Sequence, residues 1–147
     1  MRIVLGTNVL VAALLSPFGA PARVLDLLLV GEVRLACDDR ILAEYRQVLA
    51  RPKWQFPRQS VADLLAYLSA EAEPIVARPL PVNLPDPADT PFLEVAVQAE
   101  APLVTGNRRH FPEEAWGGLR VLSPAEFLAW LSSAGEPGRR QGAGPAG

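Results

Sequence analysis

Asp86 and Asp89 stand three residues apart in the stretch DPADTPFLEVA, around the start of a helix whose first turn is confined by Pro87 and Pro91. Two carboxylates so placed can cap the helix or face a cation together, and capping needs only one of them. A third acid, Glu44, lies at the edge of an apolar helical stripe made by Ile41, Leu42, Tyr45, Val48 and Leu49. A solvated charge more often sits opposite such a stripe, although a boundary glutamate can also be an ordinary surface residue. Polar residues also follow two of the strand-like runs: Gly6, Thr7 and Asn8 after Ile3–Leu5, and Thr105, Gly106 and Asn107 after a run ending at Val104. Each feature has a plain structural reading. Their coincidence in one small chain points to carboxylate chemistry at the carboxyl ends of parallel strands, where open α/β sheets place their sites.

To bring these residues together the chain must alternate strands and helices, and it does. After Ile3–Leu5, helices are expected over Asn8–Leu15 and Pro21–Val30, the second with Pro21 in its first turn and Gly31 at its end. VRLAC is a second strand. Asp38 or Asp39 caps the helix RILAEYRQVLA, which Pro52 ends, and Ser60 caps VADLLAYLSAEAE. PIVA is a third strand, FLEVAVQAE a largely apolar helix, PLVTG a fourth strand and LRVLS a fifth. SPAEFLAWL closes the pattern as a helix with Ser123 as N-cap, Pro124 next and Glu126 in the capping-box position. Strands separated by helices imply one α/β domain over residues 1–131, with a central parallel sheet of four to five strands and helices on both faces. Residues 132–147, SSAGEPGRRQGAGPAG, are small, polar and rich in Gly and Pro, and read as a disordered tail.

Composition narrows the partners. The 147 residues are half hydrophobic, enough for a single core, and the net charge of −2 gives no general attraction for nucleic acid or an anionic membrane. A polyanion would need a local patch. The single cysteine, Cys37, ends an apolar run and reads as an inert core thiol. Arg2, the apolar stretch to Leu15 and the small residues near Ala20–Ala22 imitate a signal peptide. Thr7 and Asn8 interrupt that stretch, and cleavage would remove the best strand, so a cytoplasmic protein with no membrane partner is expected.

Four segments together, IVLGTNVLVAALLSP, ILAEYRQVLARPKW, LPDPADTPFLEVAVQAEAPLVTGNRRHFP and RVLSPAEFLAWL, resemble the PIN-domain nucleases. Within that family they are most similar to the VapC-like toxin components of type II toxin–antitoxin systems, over Arg2 to Leu131. The resemblance implies a Rossmann-like PIN fold and a ribonuclease that uses Mg²⁺ or Mn²⁺, with a cognate antitoxin, an RNA substrate and a homodimer. It casts Glu44, Asp89 and Asp86 as metal and catalytic carboxylates, Asp86 also serving as an auxiliary acid or helix cap. Thr7, Asn8, Thr105 and Asn107 become supporting polar groups. His110 stands where many relatives keep an acid, and reads either as a structural residue or as a phosphate or water contact.

The chain departs from the family at Gly6, where active relatives carry the aspartate that is their first metal ligand. Asn107 likewise stands where some relatives have a fourth acid. Losing a metal carboxylate is expected to weaken affinity or rate on the order of 100-fold. Gly6 then reflects a deliberate or selected inactivation, a natural decayed or repurposed domain, or a glycine with its own role. Six cations from Arg34 to Arg58 outnumber three acids by +3; Arg46, Arg51 and Lys53, with Arg108 and Arg109, are candidate RNA contacts, or else a solvated helix face. Trp54 and Phe56 could dock an antitoxin helix or pack in the core. The alternatives to a weakened toxin are an inactive PIN scaffold that binds RNA or a protein, and a small α/β hydrolase or phosphatase using Asp86 or Asp89 as nucleophile.

Overall fold

Consecutive strand residues point to opposite faces of a sheet, so a strand whose every side chain is buried must be covered on both sides. Ile3, Val4 and Leu5 of β1 (Arg2–Leu5) are all within 1% of complete burial. In the computed structural model, which describes residues 1–112 and 118–134, β1 is the middle strand of a five-stranded parallel sheet. Its neighbours are β2 (Arg34–Cys37) and β4 (Leu103–Val104), with β3 (Glu73–Pro74) and β5 (Val121–Leu122) outside them in the order β3-β2-β1-β4-β5. Ile3 pairs with Leu35 on one side, and Leu5 with Val104 on the other.

Among the described residues six α-helices connect and cover the strands: α1 (Thr7–Leu15), α2 (Ala20–Leu29), α3 (Asp39–Leu49), α4 (Arg58–Glu71), α5 (Thr90–Ala99) and α6 (Pro124–Ala134). The expected α/β architecture with a parallel sheet is what the chain forms. From β1 the chain proceeds outward to β2 and β3, then crosses back through α5 to β4 on the other side. That reversal makes a crevice at the tips of β1 and β4, the topological switch point where open α/β sheets bind ligands.

Local signals explain most boundaries. Asp38, not Asp39, caps α3, accepting from Ile41 N at 3.1 Å. Ser123 and Glu126 form the expected reciprocal box, with Glu126 N donating to Ser123 Oγ at 3.1 Å and Ser123 N donating to Glu126 Oε1 at 2.8 Å. Cys37 is buried, and burial with the nearby Asp38 and Asp39 charges pushes its thiol up to about 11, as an inert core residue requires.

Four expectations shift. α1 begins at Thr7 rather than Asn8, because the strand ends at Leu5 and Gly6 takes the capping position. α4 begins at Arg58 after Pro57, so Ser60 lies inside the first turn and caps nothing. The third strand is Glu73–Pro74 rather than Pro74–Ala77, since its position is set by pairing Ala36 with Glu73 and Cys37 with Pro74. Finally, α6 runs to Ala134, which takes residues 132–134 out of the expected tail; residues 135–147 lie outside the described residues. Among the described residues no single helix is long and apolar enough to cross a membrane.

Candidate active site

The floor of the switch-point crevice is built by two strand tips held together. Gly6 N donates to Val104 O at 2.8 Å, and Asn8 Oδ1 accepts from Gly106 N at 3.4 Å. Gly6 has φ −64° and ψ 146°, extended backbone that any residue adopts, so no turn demands glycine here. Space does constrain it. A Cβ at Gly6 would lie 3.0 Å from Asn8 Oδ1, 3.3 Å from Val104 O and 3.4 Å from Thr105 Oγ1. Asn8 also covers Gly106, where a Cβ would come within 3.1 Å of Asn8 Nδ2. The amide of Asn8 thus fills the space between the two tips.

Buried hydroxyls support this floor. Thr7, 8% exposed, donates to Glu44 Oε2 at 3.1 Å, which ties the start of α1 to α3. Thr105, also buried, accepts from Asn107 N at 3.1 Å and shapes the turn beyond β4. Glu44 itself is half-buried, as its place at the margin of the apolar stripe implied.

The opposite wall comes from the start of α5 and the turn after β4. Asp86 accepts from Ala88 N at 3.0 Å and caps a short 3₁₀ turn, Pro87–Asp89, that leads into α5. Asp89 caps nothing with its side chain; its Oδ2 meets His110 Nδ1 at 2.9 Å. Burial raises the Asp89 carboxyl above its ordinary range, the His110 contact opposes that rise, and the charges of Asp86 and Glu44 add to it. Ligand-type atoms of Asp86, Asp89 and His110 all lie within 4.8 Å of one another. Two carboxylates and an imidazole so close can share a proton or hold a divalent cation.

Gly6, Thr7, Asn8, Glu44, Asp86, Asp89, Thr105 and Asn107 all line this one cleft, with His110. Glu44 is outside the tightest group, where His110 joins the two aspartates instead. The basic candidates are dispersed. Arg51 lines the cleft, and together with Arg46 and Arg58 it also lines a separate groove between α3 and α4. Lys53 Nζ sits 4.6 Å from the centroid of the Trp54 ring, Arg108 pairs with Glu126 at 3.0 Å, and Arg109 is exposed. Trp54 and Phe56 are half-buried, stacked on each other with centroids 6.1 Å apart, and Trp54 Nε1 donates to Val48 O at 3.0 Å.

One buried charged residue behind the site was not anticipated from the sequence. Glu94, 6% exposed in the middle of α5, takes Arg40 at 2.8 Å and Leu80 N at 2.9 Å. A lone acid inside an otherwise apolar helix was the available signal, because buried carboxylates are seldom unpaired. It anchors the segment that leads towards Asp86 to the helix that follows it.

A family model described as PIN domain matches residues 2–109. In structure the chain is similar to VapBC2 from Rickettsia felis, solved bound to a DNA fragment from their promoter, with a TM-score of 0.55 and 18% identity. That likeness covers 84% of this chain and 98% of that chain, and at this identity it is a likeness of fold. Comparison with curated proteins gives no sequence match.

Proposed function

The chain belongs to the PIN-domain family, and from that membership we propose that it is the toxin of a toxin–antitoxin pair, a divalent-metal-dependent endoribonuclease slowed by Gly6. The observation that carries this reading is the grouping of Asp86, Asp89 and His110 across the crevice from Glu44 at the β1/β4 switch point. The donor set fits a divalent cation: carboxylate oxygens of the kind Mg²⁺ and Mn²⁺ take, with an imidazole beside them, converge in one cleft. When bound, such a cation would supply Lewis acidity and a water of lowered pKa for phosphodiester hydrolysis.

The chain's own residues divide the remaining work. Thr7 holds one oxygen of Glu44 and so fixes the direction of the carboxylate. Asn8 and Asn107 present amides at the two tips, where they orient water and substrate without adding charge. Arg51 lines the cleft beside Trp54 and takes a backbone phosphate of RNA. Gly6 leaves the β1 tip without a carboxylate, which removes charge from the side of the cleft facing Asp89.

An antitoxin partner is supported by the fold likeness to VapBC2, and the homodimer and cytoplasmic location belong to the same proposal. Gly6 favours one other reading: a scaffold that binds RNA or protein without cutting it. Cleavage of single-stranded RNA by the chain and by Gly6→Asp, with Mg²⁺, with Mn²⁺ and in chelator, separates the two. The nuclease reading expects Gly6→Asp to cut about 100-fold faster than the chain itself, and only with metal. A folded Gly6→Asp protein that leaves every RNA intact would favour the scaffold.

A further inference from the structure

Resting on the reading of the cleft as a divalent-cation site, we propose that His110 is itself a metal ligand, making Asp86, Asp89 and His110 a mixed oxygen–nitrogen site that prefers a first-row transition-metal dication over Mg²⁺. The geometry supports it first. Donor atoms bound to one cation at about 2.1 Å lie roughly 3 to 4.3 Å apart. His110 Nδ1 and Asp89 Oδ2 are 2.9 Å apart, and all three donors fall within 4.8 Å of one another. A cation set to one side of that contact lies within reach of both atoms with little movement of either side chain.

The setting of His110 supports it next. Its side chain is 40% exposed, so it is not a core residue satisfied by packing. It stands on the 3₁₀ turn Arg108–His110 just beyond β4, secured by its backbone N–H on Asn107 O at 3.0 Å. The floor of the cleft gives an independent reason. At Gly6 the space a Cβ would take is bordered by Asn8 Oδ1 at 3.0 Å and Val104 O at 3.3 Å, so the β1 tip presents the Asn8 amide and no carboxylate. The donor atoms that converge most closely lie at the start of α5 and just beyond β4.

The change of donor has a chemical consequence. Mg²⁺ is a hard ion that favours oxygen and keeps its water, whereas imidazole nitrogen suits the later first-row ions. Replacing a carboxylate with His110 weakens Mg²⁺ binding and favours Mn²⁺ and Co²⁺, with Co²⁺ the tighter of the two.

His110 is the only histidine in the sequence, so imidazole coupling to a bound metal has one source in tag-free protein. Electron-spin-echo spectroscopy of the Mn²⁺-loaded chain is expected to show nitrogen coupling, and calorimetry to rank affinities Mg²⁺ < Mn²⁺ < Co²⁺. His110→Ala should lose the coupling, weaken Co²⁺ binding at least tenfold and leave Mg²⁺ binding unchanged or stronger. Absence of nitrogen coupling in the native chain with metal bound overturns the proposal without recourse to any variant. So does a His110→Gln or His110→Ala protein that keeps native Co²⁺ affinity. Neither measurement requires RNA to be cut: nitrogen coupling in the native chain together with an inert Gly6→Asp protein defeats the nuclease reading and keeps this one, and cleavage by Gly6→Asp without coupling does the reverse.

Discussion

Tyr45 Oη donates to the carbonyl of Leu5 at 2.6 Å, joining the residue that follows Glu44 to the residue that precedes Gly6. Both groups are fully buried, and the Tyr45 ring also packs 6.4 Å from that of Phe92 on α5. One contact therefore sets the height of Glu44 relative to the tip of β1. Tyr45→Phe keeps the ring and leaves a buried carbonyl short of a partner, an expected loss of about 1 to 3 kcal/mol in urea unfolding. A change below about 0.5 kcal/mol would mean that the hydroxyl does not hold α3 to β1.

The raised Asp89 carboxyl has a stability consequence whose sign can be worked out. A carboxyl with a folded pKa above its unfolded value binds its proton more firmly in the fold, so its ionisation takes stability away as pH rises through that interval. Asp89→Asn cannot ionise. In chelator it is expected to melt a few degrees higher than the native chain at pH 7, with the difference vanishing well below the ordinary carboxylate range. Thermal melts across pH decide this, and an Asn variant that melts lower at neutral pH would show that the His110 contact outweighs burial.

Glu94 offers a test remote from the cleft. Glu94→Ala removes the acceptor of Leu80 N and one partner of Arg40; Arg40 is about half exposed and can turn to water, so the loss should be about 2 kcal/mol rather than that of a stranded buried charge. Glu94→Gln retains an acceptor and should recover about half of it. Hydrogen exchange at Leu80 is the local readout, and slow exchange in Glu94→Ala would contradict the anchoring role.

Gly6→Asp should change stability in opposite directions with and without metal. In chelator, crowding by Asn8 and Val104 and repulsion from Glu44 and Asp89 lower its melting temperature below that of the native chain. With saturating Mn²⁺ the order reverses, because a ligand bound only by the folded state stabilises it. Identical melting temperatures for the two chains in both conditions would remove metal from the account of this cleft.

The buried β1, the helix starts at Asp38 and Ser123 and the alternation that makes a parallel sheet were legible because each is a local pattern of side chains. The site residues at both strand tips followed from the same pattern plus the rule for open sheets. β3 was misplaced because its register depends on a partner, with Ala36 and Cys37 choosing Glu73 and Pro74. The contact between His110 and Asp89 was not legible for a similar reason. His110 is 21 residues from Asp89, and only the return of the chain through α5 and β4 brings the two within hydrogen-bonding distance. Glu94 lay hidden in an apolar helix whose partners, Arg40 and Leu80, are likewise distant in sequence.

The borders of the sheet decide how two copies of this chain can meet. β3 and β5 are its outermost strands, each two residues long, and β3 contains Pro74, which has no N–H to offer. A margin so short, and on one side missing a donor, gives an incoming strand too few rungs to fix a register. Self-association by merging two sheets into one is thereby blocked. In a dimer of this protein, side-chain shape rather than backbone ladders would choose the partner.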